Sequence, residues 1–322
     1  MSSVGMVHQL AGKGAARAAA RANERAKARA ASGKTTASRT GRGGRLAQGQ
    51  RRPGWVTYGI LVAVIAISAY PLYFAFLLAS STAPMIAMHP IPSLIPQGHL
   101  VENVRRVLDA DIGFWSAMLN SIFVAVVVSV SVVFFSTLAG FSFAKLRFRG
   151  RPVLLAFIVG TMAIPAQLGV VPLFIVMAHL GWTGQLIAVI VPGMVNAFGV
   201  FWMTQYLEEA LPYELIEAAR VDGCSMIRTF WHVALPAARP AAAMLALFTF
   251  VASWTQFFWP FIILGPSNPT LPVALQLLQS THFKDMSLIM SGVVMATLPL
   301  LLLFVIAGKQ LVSGIMAGAV KG

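Results

Sequence analysis

Charge is scarce in this sequence and unevenly spread. Only 11% of its 322 residues are Asp, Glu, Lys or Arg, while 57% are apolar. A soluble domain carries about 25% charged residues. The length alone allows one or two soluble domains, but several windows of about 20 residues hold no charge at all, and that many apolar residues in a helix cross the roughly 30 Å hydrocarbon layer of a bilayer. Cysteine is almost absent. Cys224 stands alone, which excludes an intrachain disulfide and a cysteine-based metal cluster. Acidic residues number ten against 24 Lys and Arg, a net charge of +14. That excess does not point to nucleic acid, because half of the basic residues precede Pro53 and lie outside every apolar run. His8, His89, His99, His179, His232 and His282 are scattered, with no i,i+4 pair suited to zinc. There is no Gly-x-Ser-x-Gly elbow and no carboxylate pair inside an apolar run. No enzyme chemistry is supported in this polypeptide.

What is present is a series of six apolar runs, at about 56–79, 114–142, 153–178, 184–206, 238–264 and 287–308. The one charge within them is Arg239, at the start of the fifth. A charge at a helix centre costs about 2.5–3.5 kcal/mol on the insertion scale, so the absence is informative. The predicted fold is all-α, a polytopic membrane protein with six transmembrane helices, and an even number puts both termini on one side. Lys145, Arg147, Arg149 and Arg151 crowd one short link, the N-terminal tail is basic, and Lys309 and Lys321 follow the last run. The positive-inside rule assigns these segments to the cytoplasm. Residues 80–113, the link near Gly181 and the loop 265–286 then face the other side. No internal repeat is visible, which disfavours inverted-repeat secondary transporters.

Residues 1–54 form a basic tail rich in Ala, Arg, Gly and Ser, with Glu24 as its one acid. Arg17, Arg21, Arg25 and Arg29 recur every four residues, compatible with a basic helix over 11–31. The plainer reading is a disordered cytoplasmic tail. A membrane-surface helix lacks apolar bulk on its alanine face, and a mitochondrial transit peptide has a similar composition. Within the tail, Ser32-Gly33-Lys34-Thr35-Thr36 looks like the end of a phosphate-binding loop, but Ala28 stands where the motif needs glycine and no buried strand precedes it.

The longest polar break, about 207–237, joins the fourth and fifth runs. Pro212 suits a first helical turn, and Glu214 lies near the positive end of the helix dipole. No breaker intervenes before Asp222. Gly223 offers the left-handed conformation that stops a helix. Ser225 is placed to cap a second short helix through Val233, with Pro236 marking the return to the membrane. An ordinary interfacial helix accounts for these features equally well.

The spacing adds more. Glu217-Ala218-Ala219, three residues, Gly223, nine residues and Val233-x-Leu235-Pro236 resemble the EAA loop of binding-protein-dependent ABC importer permeases, EAA-x3-G-x9-I-x-LP, with Val for Ile as the departure. Met162-Ala163-Ile164-Pro165, Val171-Pro172-Leu173-Phe174, Phe198-Gly199-Val200-Phe201, Trp254 through Leu264, Leu271-Pro272-Val273-Ala274-Leu275 and Gly318-Ala319-Val320-Lys321-Gly322 are similar to the carbohydrate-uptake branch. The resemblance covers 55–322 and leaves out the tail. It implies a permease domain that works with a second homologous permease, an ABC ATPase dimer and an extracytoplasmic solute-binding protein, in the lipid of a bacterial cell membrane. ATP would be bound by the partner ATPase, with no cofactor on this chain. The loop would dock on that ATPase, with Ala218 and Ala219 as the close-contact surface, Glu217 as ionic anchor, Asp222 beside it, and Gly223 as the turn between two helices.

Polar and aromatic residues within the runs are candidates for the translocation pathway. Gln167 and Asn196 lie near Pro165 and Pro192, where freed backbone groups can line a cavity. Trp254, Thr255, Gln256 and Trp259 cluster in the fifth run, and aromatic faces with amides suit a sugar. Interhelical packing is the alternative for each. The expected solute is a sugar or oligosaccharide. The same architecture also serves other solutes, such as a polyamine or glycerol phosphate. A secondary transporter would want an acid inside a span, and a plain membrane anchor would not need the spaced loop.

Overall fold

The computed structural model describes residues 54–319 except 90, 92, 283 and 284, and side chains to residue 308. The basic tail, including the expected 11–31 helix and Ser32–Thr36, lies outside the described residues, as do Val320, Lys321 and Gly322 of the closing motif. The chain divides into two units, Met1–Ile65 and Ala66–Gly322. Of the first, only the start of helix α1 (Trp55–Ala79) is described, an apolar stretch without charge.

Among the described residues every regular element is helical. Two short helices, α2 (Ala83–Met88) and α3 (Leu100–Asp109), follow α1 at one end of the bundle. The longest early helix is α4 (Phe114–Lys145), which runs to the basic link. Five helical stretches are long and apolar enough to cross a membrane, and a bent pair makes a sixth.

That bent pair occupies the third apolar run, 153–178, which is broken at Pro165. Helices α5 (Arg151–Thr161) and α6 (Val170–His179) are joined by a 3-10 turn, Ala166–Gly169, and the two halves meet at 90°. The cause is local. Met162, Ala163 and Ile164 bond back only three residues, to Val159, Gly160 and Thr161, and Pro165 disfavours a helical conformation at Ile164.

The fourth span is also interrupted. Helix α7 (Ile187–Gly193) is followed by α8 (Ala197–Ala210), with Asn196 extended between them. Helix α9 (Tyr213–Val221) comes next. Beyond the turn, the expected second short helix is not separate. Helix α10 (Met226–Thr229) runs through a π-turn, Phe230–Ala234, directly into α11 (Leu235–Trp254). Pro236 therefore sits in the first turn of α11 inside a continuous helical path. At its other end the expected 238–264 run breaks at 255–257 before α12 (Phe258–Leu264). A continuous helix there would set Pro260 against the Gln256 carbonyl one turn back.

Helix α4 is the central post. It packs against α8 and α11 around Val128, Val132, Phe141, Met203, Leu207, Ala241 and Leu245, all buried. A Cβ on Gly140 would lie 2.7 Å from the Met203 Cβ and 2.8 Å from its carbonyl carbon. Only glycine allows α4 and α8 to approach so closely, the usual device where lipid removes the hydrophobic drive between helices. A second core, at the end away from the basic link, joins Val107, Ile112, Phe114 and Trp254 to α13 (Leu271–Thr281) and α14 (Met286–Ala319). There Asn103, 2% exposed, donates to the Ala79 and Ser81 carbonyls at 2.9 and 2.8 Å. Arg106 pairs with Asp285, which caps α14 by accepting from Ser287 Oγ at 2.6 Å and Leu288 N at 3.1 Å.

Candidate functional site: a capped hairpin and a bent-span cleft

The hairpin over α9 and α10 is built from strong end signals. Pro212 supplies its fixed φ before α9, and Glu214 sits in the first turn. At the other end Cys224 N–H donates to the Ala219 carbonyl and Gly223 N–H to the Arg220 carbonyl, at 2.9 and 3.0 Å. This pair of bonds is the Schellman closure. It needs a left-handed residue, and Gly223 has φ +75°. The Ser225 hydroxyl then accepts from Arg228 N–H at 3.3 Å and caps α10.

The hairpin has an inner and an outer face. Ile216, Ala219, Thr229 and Phe230 are buried. Phe230 meets Phe141 and Phe134 of α4 at ring separations of 5.9 and 6.5 Å, and Trp231 meets Phe134 at 6.1 Å. Glu217, Ala218, Asp222 and Gly223 face outward. Ala219 is turned inward against this chain, which corrects its expected place on a docking surface. Val233 and Leu235 are half-buried against the core and belong to the hairpin's root, with Pro236 beside them.

Two outward residues escaped the sequence reading. Val221 is 87% exposed and Ile227 74%. Val221 follows Leu215 and Ala218 at three-residue spacing on the exposed side of α9, while Ile227 lies beyond the turn, in α10.

The candidate pathway residues separate. Gln167, Gln256 and Trp259 meet at a cleft of about 360 Å³, whose lining includes Pro192, Phe257 and Phe258. The bend of the third span and the break before α12 bring them together. Asn196 does not join them, because its Oδ1 accepts from Gly199 N–H at 2.6 Å and caps α8. Thr255 bonds back to the Val251 carbonyl at 2.8 Å. Trp254 is 3% exposed, stacks on Phe250 and points its Nε1 at the Ala296 carbonyl. It is a packing residue of the second core. Trp259 Nε1 donates to the Ala188 carbonyl at 2.9 Å, which fixes its ring behind the cleft. Among the described residues no three His, Cys, Asp or Glu side chains gather as metal ligands would.

The family model for the inner membrane component of binding-protein-dependent transport systems matches residues 133–308, the hairpin and the cleft included. The chain belongs to that family. It is 31% identical over 210 residues to the arabinooligosaccharides transport system permease protein AraQ of Halalkalibacterium halodurans, covering 65% of this chain and 75% of that one. The lactose transport system permease protein LacG of Rhizobium radiobacter is 28% identical over 273 residues, covering 84% and 98%. The sn-glycerol-3-phosphate transport system permease protein UgpE of Escherichia coli is 31% identical over 223 residues, covering 67% and 78%. A chain of a bacterial ABC transporter involved in the import of the acidic polysaccharide alginate shares the fold, with a TM-score of 0.66 and 24% identity over 79% of this chain and 94% of that one. As an ABC importer permease, the chain is a multi-pass inner membrane transport component, not an enzyme. Its match begins inside α4 and ends in α14, so the tail and α1 stand outside the family core.

Proposed function

We propose that this permease lines part of the translocation pathway for a sugar or oligosaccharide, and that its hairpin couples the pathway to ATP hydrolysis on a separate ATPase dimer. A second homologous permease completes the membrane part, and an extracytoplasmic solute-binding protein delivers the solute. ATP belongs to the ATPase, and this chain needs no cofactor of its own. The hairpin and both termini face the cytoplasm, supported by the basic link Lys145–Arg151 beside the hairpin. Closure of the ATPase dimer would move the hairpin and, through its root on α4, switch the spans between inward-open and outward-open states.

The hairpin carries the coupling reading. It is capped at both helix ends and rooted by buried aromatics, yet leaves Val221 and Ile227 bare. Exposed apolar groups on a rigid, polar-rimmed loop suit a protein partner. The sugar reading is supported by the cleft, where the amides of Gln167 and Gln256 lie beside Phe257 and Phe258. Amides bond hydroxyls, and ring faces take the C–H face of a pyranose. The names of the arabinooligosaccharide and lactose relatives agree.

The glycerol-phosphate relative keeps a second reading in play. A phosphate is held best by Arg, Lys or a helix N-terminus. This cleft is lined by no basic side chain, which favours a neutral solute. The test is purification from the native membrane in mild detergent, identification of the co-purifying chains, and a ligand screen of the binding protein. An ATPase and a binding protein selecting a neutral sugar are expected. A phosphate ester or polyamine as the selected ligand overturns the sugar reading. Nucleotide-free transport by the chain alone in liposomes overturns the coupling reading.

A further inference from the structure

Pro212 creates a vacancy in the hydrogen-bond ladder. The Glu208 carbonyl, in the last turn of α8, would accept from the N–H of residue 212 in a continuing helix, but proline has none. Lys145 fills the place. It is the last residue of α4, it is 5% exposed, and its Nζ donates to that carbonyl at 3.1 Å. The ammonium also stands 4.5 Å from the ring centroid of Tyr213, the first residue of α9. Tyr213 answers in kind. Its hydroxyl donates at 3.2 Å to the carbonyl of Ala144, in the terminal turn of α4, where the ladder has run out. No carboxylate pairs with Lys145 among the described residues; the Glu208 carboxylate instead faces Arg151 at 3.6 Å.

We propose that Lys145 and Tyr213 form a reciprocal clasp that makes the coupling hairpin and α4 move as one body. Each side chain completes the C-terminal end of another helix, Lys145 that of α8 and Tyr213 that of α4. Both act at the Leu211-Pro212 joint, the two-residue link from α8 to α9. Without the clasp, motion imposed on the hairpin dissipates as rotation at that joint. With it, displacement passes to α4, and onward to α8 through the Gly140–Met203 contact. The two residues are positioning residues, inside the chain and away from the hairpin's outward face. The proposal rests on the coupling function given above.

The test uses the whole assembly with its co-purified ATPase, in a Cys224→Ser background. Spin labels are placed at Leu119→Cys on α4 and Arg220→Cys on α9, both exposed and away from the Leu215, Ala218, Val221 face. The inter-label distance is read without nucleotide and with ATP plus vanadate. The clasp predicts the same distance in both states for the unmodified clasp and for Lys145→Arg, which keeps the donors and the cation over the ring. It predicts a nucleotide-dependent shift and broadening for Lys145→Met and Tyr213→Leu, with the double variant no worse than either single one. A residue of merely structural importance would lower the yield of the complex without making this distance depend on nucleotide. If those variants do not accumulate, Tyr213→Phe, which removes only the bond to Ala144, is read in their place and shows a smaller shift. A distance that changes with nucleotide in the intact clasp overturns the proposal. So does a distance that stays fixed in every loosened variant. Gly223→Asp, purified in parallel, tests the underlying function separately. Full retention of the ATPase by that variant counts against docking through the hairpin, while an invariant distance in Lys145→Met removes the clasp alone.

Discussion

Gly223 and Gln256 carry different work in the proposed scheme. A Cβ at Gly223 meets nothing within 4 Å, so the chain itself has room for a larger residue there. The left-handed backbone is the sole internal restriction, and Asp and Asn tolerate it better than most residues. Gly223→Asp is therefore expected to reach the membrane at normal levels and to lose the ATPase and uptake together. Immunoblotting of membranes beside ATPase co-purification checks this, and wild-type uptake would remove the hairpin from the coupling path. Gln256 is exposed in the cleft between α11 and α12, and among the described residues no hydrogen bond uses its side chain. Gln256→Ala is expected to leave assembly unchanged and to weaken solute transport. The loss of one hydrogen bond to a neutral partner is worth about 0.5–1.5 kcal/mol, a few-fold to about tenfold in apparent affinity. Unchanged affinity and selectivity would strike it from the pathway.

At the scale of elements, close approach and end-capping dominate. The crossing of α4 and α8 has no room for one methyl group at Gly140, because the nearest atoms are backbone and Cβ atoms of Met203 and cannot swing away. Gly140→Ala is expected to destabilise the protein by about 1–3 kcal/mol, the range for overpacking, read as an earlier unfolding midpoint in detergent. The start of α14 is governed by charge. Burial pushes the Asp285 carboxyl up, but hydrogen bonds from Ser287, Arg106 and the Leu288 N–H, with the charge of Arg106, outweigh it and hold the group below its ordinary value. A carboxyl depressed in the folded state contributes stability that is present above its unfolded pKa and lost as the pH falls through its folded pKa. Thermal stability is thus expected to drop on acidification through that range. Asp285→Asn should remove this part of the pH dependence, and an unchanged acid limb in the variant would show that other carboxylates carry it.

In the proposed scheme the unit Ala66–Gly322 works as a post with a hairpin. Helix α4 carries one core near the hairpin, and its start, Phe114 and Ala117, belongs to the second core at the other end. A push on the hairpin root thus has a direct mechanical route along a helix of 32 residues. The bent third span packs on α8 and α12 and contributes Gln167 to the cleft, so in the proposed scheme movement of α8 would change the cleft's width. The chain alone has no element to hydrolyse ATP in the proposed scheme. Purified without partners it is expected to show no nucleotide hydrolysis, and sustained hydrolysis in a preparation free of other chains would contradict that division of labour.

Membrane insertion, helical class and the hairpin's two caps were legible in the sequence because their causes are local. An uncharged run of bilayer length has few alternatives to a helix in lipid, and Gly223 and Ser225 act on hydrogen-bond donors and acceptors within a few residues of themselves. Pro165 marked a break in the third span, but the 90° between its halves was not legible, since apolar length says nothing of direction. Which of Ala218 and Ala219 faces outward, that Trp254 packs while Gln256 opens to a cleft, and that a lysine ending one helix completes another 63 residues later were decided only by tertiary structure. Each depends on which distant surface arrives alongside, and no local hydrogen-bond or hydropathy pattern contains that information.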